Sequence, residues 1–149
     1  MANHQNRASP CPKTVPLATA RLFIALVIFF NLQAAVVFLW NPAAYITAFE
    51  LEGIPGQAAL RGMGILFLMW NVPYLAALSH PVRRRTALFE AIAMQAIGLI
   101  GESLLLQTIP LDYPFLRASI LRFILFDSAG LILLISAWAI SRRIPLPHP

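Results

Sequence analysis

Four long apolar runs dominate the pattern of hydrophobic and polar positions along the chain. They span residues 21–40, about 57–79, about 86–108 and about 116–141. A helix rises about 1.5 Å per residue, so each run is long enough to cross the roughly 30 Å hydrocarbon layer of a bilayer. The runs are too long for barrel strands and do not alternate with period two. The pattern therefore predicts four transmembrane helices.

The prolines agree with these boundaries, because proline interrupts a helix. Of the 12 prolines, Pro73 alone lies inside an apolar run. Two of the connections are short, and short turns make consecutive helices antiparallel neighbours. The predicted fold class is thus all-α, an integral membrane four-helix up-down bundle. The longer connection, from Asn41 to Gly56, includes AAYITAFEL, which we expect to form a short helix in the membrane interface.

The composition fits a membrane protein, with 59% hydrophobic and 11% charged residues, against roughly a quarter charged in soluble domains. The net charge of +5 does not indicate nucleic-acid binding, because the basic residues form short clusters between the apolar runs. Those clusters are Arg7, Lys13 and Arg21, then Arg83, Arg84 and Arg85, then Arg142 and Arg143. The positive-inside rule places them in the cytosol. We expect a multi-pass protein of the cell membrane with a disordered cytosolic tail at 1–20, a transmembrane domain at 21–141 and a cytosolic tail at 142–149.

Familiar cofactor and metal chemistry is not indicated. Cys11 is the single cysteine, so it forms no internal disulfide, and there is no CxxC redox pair. His4, His80 and His148 lie outside the apolar runs without ligand spacing. We predict no metal and no cofactor, and leave enzymatic activity open.

Charged residues inside the predicted spans are the main candidates for function. On insertion scales each costs about 2.5 to 3.5 kcal/mol, so such residues mark function or an internal pair. Arg61, Glu102 and Arg122 fall in one layer on three helices, roughly 6–9 Å from the outer ends at about 1.5 Å per residue. The simplest arrangement has Glu102 bridging both arginines, either as a structural clasp or as the polar floor of a ligand pocket. Asp127 lies deeper, near the midplane, with no evident partner.

Uncharged polar residues form a second set: Asn31, Gln33, Asn71 and Gln95. Asn71 and Gln95 share an inner layer, and we expect them to bond to each other. Helical spacing gives three stripes that could face the bundle, since small residues let helices approach closely. They are Arg61, Gly64, Leu68 and Asn71 on the second helix; Ala91, Gln95, Gly98 and Glu102 on the third; and Arg122, Ala129 and Ser136 on the fourth. Asp127 lies about 140° round the fourth helix from Arg122, at 100° per residue.

The layout resembles that of the DoxX-like small membrane proteins. Four spans, cytosolic termini and an Arg-x-x-Gly step from Arg61 to Gly64 carry the resemblance, which covers roughly residues 21–141. It implies a compact four-helix bundle, and some DoxX-like proteins are linked to redox or thiosulfate–quinone chemistry. This chain has no cysteine pair for a thiol-based role, so we transfer no catalytic residue.

Three functions remain open from the sequence. The first is a non-catalytic accessory protein or membrane subunit, because no catalytic motif is present. The second is a binder or enzyme for a lipophilic, quinone-like molecule above the Arg61, Glu102 and Arg122 layer. The third is a proton-coupled small transporter with Asp127 or Glu102 as the proton carrier. The expected partners are the lipid bilayer and either another membrane protein or a second copy of the chain, and not nucleic acid.

Overall fold

Four long helices account for most of the computed structural model, which describes residues 14–144. They are α1 (Thr14–Trp40), α2 (Gly53–Ser79), α3 (Arg85–Thr108) and α4 (Pro114–Arg142). Each is long and apolar enough to cross a membrane. The all-α, four-helix prediction is therefore confirmed, with each boundary within a few residues except the start of α1.

Helix α1 begins at Thr14, seven residues before the predicted start at Arg21. Residues 14–20 are thus helical, although the sequence placed them in a disordered tail. Pro16 is tolerated because the first four N–H groups of a helix have no partner within it. Ala20 is fully buried, so the helix packs against the bundle before the apolar run begins at Arg21. The rest of the two predicted tails, 1–13 and 145–149, lies outside the described residues.

The connection between α1 and α2 forms two short 3-10 helices, Pro42–Ala44 and Ile46–Phe49. This confirms the prediction that the AAYITAFEL stretch forms a short helix. The connection packs against the start of α4, where Glu50 Oε1 accepts a hydrogen bond from Phe115 N at 3.0 Å. We call this end of the bundle the loop end, and the opposite end, with the α2–α3 turn, the terminal end.

The helices form a closed ring in which α1 and α3 each pack against both α2 and α4. Consecutive helices are antiparallel, since the start of each lies beside the end of its neighbour. At the terminal end, Arg21 Nη2 donates to Ser79 O at 2.8 Å and Arg85 Nη2 donates to Ser141 O at 3.3 Å. These arginines satisfy carbonyl groups that the last turns of α2 and α4 leave without a helical partner.

Two apolar clusters fill the inside of the ring. The cluster toward the terminal end draws on all four helices and includes Ile24, Leu88 and Leu134. The cluster toward the loop end is built on Phe38, Leu60 and Phe67, with further aromatic side chains packed around them. A set of polar residues lies between the two clusters, and it forms the candidate site.

Candidate functional site

A chain of hydrogen bonds crosses the middle of the bundle and joins three helices. Tyr74 Oη on α2 donates to Gln95 Oε1 on α3 at 2.6 Å. Gln95 Nε2 in turn donates to Asp127 Oδ1 on α4 at 2.7 Å. Tyr74 and Gln95 are almost fully buried. The sequence left Asp127 without an evident partner, and the structure shows that this was wrong, because Gln95 is its partner.

Two glycines make room for the Gln95–Asp127 pair. A Cβ atom at Gly98 on α3 would overlap Asp127 Oδ2, and one at Gly130 on α4 would lie 2.7 Å from Gln95 Nε2. Each glycine follows its own helix's polar residue by three positions, so it occupies the same face one turn on. The arrangement is reciprocal, since each helix supplies one polar side chain and one gap for the other's polar side chain. It also confirms the predicted inward face of α3.

A cavity of about 330 Å³ lies beside this chain of hydrogen bonds. All four helices contribute to its lining, which includes Asn31, Trp70, Tyr74, Gln95, Glu102 and Asp127. Trp70 and Ile97, both of which are also exposed on the outside of the bundle, form its wall between α2 and α3. The cavity therefore reaches both acids that the sequence singled out on α3 and α4.

The polar groups of the cavity include two acids and no basic group among the described residues. Glu102 and Asp127 are the two carboxyl groups of the lining, and Lys, Arg and His are absent from its described residues. Glu102 Oε2 has no hydrogen-bond partner within residues 14–144. Tyr74 and Gln95 each direct a donor into the chain of hydrogen bonds. The cavity is thus acidic, and part of its acceptor capacity is unused.

The predicted layer of Arg61, Glu102 and Arg122 does not form. Arg61 and Arg122 lie on exposed faces of their helices, and Arg122 Nη2 donates to Ser119 Oγ at 2.9 Å. Neither arginine makes a side-chain hydrogen bond to Glu102 among the residues described. The reason is the orientation of each helix: equal depth in the bundle does not imply a shared face, and Leu60, rather than Arg61, points inward.

The predicted inner layer of Asn71 and Gln95 is buried, but these two residues do not form a hydrogen bond with each other. Asn71 and Gln95 are both buried. Asn71 Nδ2, however, donates to Phe67 O of the preceding turn at 2.7 Å, and its Oδ1 is buried without a partner among the described residues. The expected Asn71–Gln95 hydrogen bond is therefore wrong, because the Gln95 amide is already bonded to Tyr74 and Asp127.

A second cavity, of about 350 Å³, lies between α1 and α4 toward the loop end. Its walls are mainly aromatic, and its polar groups include Gln33 and Arg122. Phe67 lines both this aromatic cavity and the acidic one. The ring of Phe67 packs against Phe38 and Phe123 with centroid distances of 6.2 Å and 5.9 Å. The two predicted polar candidates Arg122 and Asp127 thus belong to different cavities.

Sequence reasoning missed Tyr74, because a single tyrosine in an apolar run carries no sign of its hydroxyl's partner. A usable signal was nevertheless present on α3 and α4. Gln95-x-x-Gly98 and Asp127-x-x-Gly130 are the same polar-then-glycine spacing on two neighbouring antiparallel helices. Such a match between neighbours indicates a polar pair set into two gaps.

No family model matches the chain, and neither the curated proteins nor the solved structures contain a match. The resemblance to DoxX-like proteins therefore stays a prediction. A group of three or more His, Cys, Asp or Glu residues suited to a metal ion is not found within residues 14–144.

Proposed function

We propose that the chain is a multi-pass cell-membrane protein, with both termini in the cytosol, that binds a lipophilic small molecule in its acidic cavity. Insertion is supported by the outward faces of the helices, where large apolar side chains such as Val72, Ile97 and Leu125 are 65–70% exposed. An apolar surface of this extent needs an apolar surrounding phase. The cytosolic orientation rests on the arginines at the terminal end.

The cavity beside Asp127 is the observation that carries the binding function. Small-molecule sites are mostly apolar clefts of about 300 to 1,000 Å³ with a few polar groups that converge on the ligand. The acidic cavity, at about 330 Å³, falls at the lower end of that range. Trp70 and Phe67 supply apolar wall, and Glu102 and Asp127 supply polar groups. We therefore expect a compact ligand.

Unused polar capacity favours binding over a purely structural role. Buried polar groups cost free energy when they lack hydrogen bonds, so a structural clasp would pair them internally. Glu102 Oε2 has no partner among the described residues, and the side chain of Glu102 faces the cavity. The carboxyl group of Glu102 is therefore available to a molecule in the cavity that its side chain lines.

Trp70 provides a direct test, because it lies in the cavity wall. In a Trp40→Phe, Trp138→Phe background it is the only tryptophan of the chain. We expect the neutral aromatic 1-bromo-4-neopentylbenzene, whose bromine quenches indole fluorescence, to quench Trp70 saturably in protein held in phosphatidylcholine nanodiscs. Quenching that rises linearly, as from the lipid alone, with both this probe and its cationic isostere 4-bromobenzyltrimethylammonium would contradict the binding function and favour an accessory subunit.

A matched pair of substitutions locates the binding. Met94→Phe adds a ring to the cavity wall and should weaken saturable quenching about tenfold or more, since it takes volume from the ligand. Leu104→Phe makes a similar change on the same helix, at an exposed position that is not in the lining of the acidic cavity. It should leave the midpoint of the quenching curve unchanged. Equal effects of the two substitutions would place the probe outside the acidic cavity.

A further inference from the structure

We infer that the ligand of the acidic cavity is a compact lipophilic organic cation, and that it enters in exchange for a proton held by Glu102 or Asp127. This inference rests on the proposed binding function and names its ligand class. Four features of the cavity support it: its charge, the direction of its hydrogen bonds, its aromatic wall and the environment of Asn31.

The charge of the lining comes first. An ionised carboxylate away from water costs several kcal/mol unless a positive group compensates it. Glu102 and Asp127 share one cavity whose described lining contains no Lys, Arg or His. The compensating positive charge must therefore enter from outside the lining, as a proton when the cavity is empty and as a cation when it is occupied.

The direction of the hydrogen bonds leaves the carboxyl groups available to a cation. Tyr74 uses its hydroxyl hydrogen on Gln95, and Gln95 Nε2 donates to Asp127. The chain thus ends on the Asp127 carboxyl group, and Glu102 Oε2 has no partner among the described residues. Once they are deprotonated, both carboxylates attract a positive group. A quinone carbonyl would instead use donors such as Asn31 Nδ2 or a protonated carboxyl group, so the pH dependence of binding separates the two ligands.

The aromatic wall suits the same ligand. A cation within about 6 Å of an aromatic ring centroid is attracted to the face of the ring, and tryptophan is the strongest partner. Trp70 and Phe67 line the cavity together, with ring centroids 5.5 Å apart in an edge-to-face arrangement. A lipophilic cation can therefore contact aromatic faces on one side and carboxylates on the other.

Asn31 gives an observation that does not depend on the acids. It is 5% exposed, lines the cavity from α1, and its side chain forms no hydrogen bond with the residues that the structure describes. An amide this deeply buried normally has a partner, so Asn31 points to a bound molecule. Its carbonyl oxygen can contact the positive group of a ligand, and its Nδ2 can donate to an acceptor.

Proton exchange follows from the same set of groups. The titratable residues that face the cavity are Tyr74 on α2, Glu102 on α3 and Asp127 on α4. When the cation binds, a proton leaves a carboxyl group to solution, and charge in the cavity is conserved. Raising the pH removes the competing proton, so cation affinity rises by up to about tenfold per pH unit for each proton displaced. A neutral ligand displaces no proton and shows no such dependence.

The experiment compares two probes of nearly the same shape, 4-bromobenzyltrimethylammonium and its neutral isostere 1-bromo-4-neopentylbenzene. Both are titrated against Trp70 fluorescence in phosphatidylcholine nanodiscs at several pH values. We expect the cation to bind at least about thirtyfold more tightly than the isostere at the highest pH, as for a charge pair in a partly buried site, and its affinity to fall as pH falls. Equal, pH-independent binding of both probes would overturn the cation inference and leave the binding function standing. Binding of neither would overturn both.

Matched variants locate the charge. Glu102→Gln and Asp127→Asn should each reduce cation affinity at least about tenfold and leave the affinity of the neutral isostere unchanged. Glu90→Gln is the control, because Glu90 is an exposed acid on the same helix as Glu102 that lines the adjoining groove beside Pro73 and not the acidic cavity. If Asp127→Asn does not fold, Glu102→Gln alone tests whether a carboxyl group binds the cation. Glu102 makes no side-chain hydrogen bond among the described residues, so this substitution should not affect folding. A cation affinity that Glu102→Gln leaves unchanged would overturn the exchange at Glu102.

Discussion

At the scale of single residues, the absence of a side chain at Gly98 matters as much as the carboxyl group that faces it. A methyl group at position 98 would overlap Asp127 Oδ2. The Asp127 carboxyl group would have to move, and its hydrogen bond with Gln95 would be strained or lost. Gly98 thus holds the geometry of the site although it contributes no chemistry of its own.

We predict that Gly98→Ala lowers the free energy of unfolding by about 1 to 3 kcal/mol, through overpacking and a weakened buried hydrogen bond. Gly101→Ala, three residues further along α3, is the control, because a Cβ there meets nothing within 4 Å. That change should be neutral or stabilising by up to about 1 kcal/mol, since alanine favours a helix more than glycine. Thermal unfolding in one mild detergent compares the two. Equal melting temperatures would contradict the gap-filling role of Gly98.

The hydroxyl group of Tyr74 is a second residue whose contribution can be measured. Tyr74→Phe removes the donor to Gln95 Oε1 and leaves that buried acceptor without a partner. We expect a loss of about 1 to 3 kcal/mol in the free energy of unfolding. Tyr45→Phe, at a more exposed position in the connection, should change stability by less than about 0.5 kcal/mol. A Tyr74→Phe protein as stable as Tyr45→Phe would show that the hydrogen bond contributes little.

At the scale of the helix, the inward face of α2 includes Gly64 and Asn71 of the predicted stripe but has Leu60 and Phe67 in place of Arg61 and Leu68. The buried residues there are Leu60, Gly64, Phe67, Asn71 and Tyr74, at helical spacing. Leu60 is fully buried, and its neighbour Arg61 is exposed. Burying Leu60 leaves Arg61 on the outward face near the loop end, where its long side chain can extend toward the membrane interface and keep the guanidinium group hydrated.

This orientation of α2 predicts opposite results for adjacent residues. Leu60→Ala should destabilise the protein by about 2 kcal/mol or more, because it leaves a cavity in the cluster with Phe38 and Phe67. Arg61→Ala should change the free energy of unfolding by less than about 0.5 kcal/mol. Denaturation curves of both variants, measured in the same detergent, check the prediction. A larger loss for Arg61→Ala would restore the predicted ionic layer.

The sequence predicts the helices well and their faces poorly, for a physical reason. Length and apolarity are enough to identify a membrane span. A span that is apolar all round, however, has no polar side to mark its outer face, so periodicity does not tell inside from outside. On α3, Gln95 and Gly98 identify the inward face correctly. On α4, the predicted inward stripe was chosen to include Arg122, and it lies on an exposed face. Asp127 and Gly130 lie on the face that packs against α3.

The sequence predicts the acidic residues of the candidate site but not their hydrogen-bond partners. Glu102 and Asp127 stand out because a carboxyl group is costly in an apolar span. Counting residues gives the height of a side chain in the bundle but not its direction, so the partners of Gln95 and Asp127 could not be deduced. Those partners depend on how three helices are rotated about their axes, which only packing decides.

At the scale of the whole molecule, the orientation in the membrane is the broadest prediction. In a Cys11→Ser background, Asp112→Cys places a thiol at the loop end and His80→Cys places one at the α2–α3 turn. Both positions are exposed. We expect a membrane-impermeant maleimide to label position 112 in intact cells and position 80 only after permeabilisation, because the arginine-rich turn stays in the cytosol. The reverse pattern would contradict cytosolic termini.

The paired gaps at Gly98 and Gly130 have a mechanical consequence. Sliding α3 past α4 by one turn, about 5.4 Å, would move Gln95 and Asp127 out of both gaps at once. The two gaps therefore fix the position of α3 against α4, and we expect these two helices to move as one rigid body. Helix α2, by contrast, joins the chain of hydrogen bonds through a single hydroxyl group, and it borders α3 along a groove beside Pro73. If the bundle opens to admit a molecule from the lipid, the seam between α2 and α3 is where it parts.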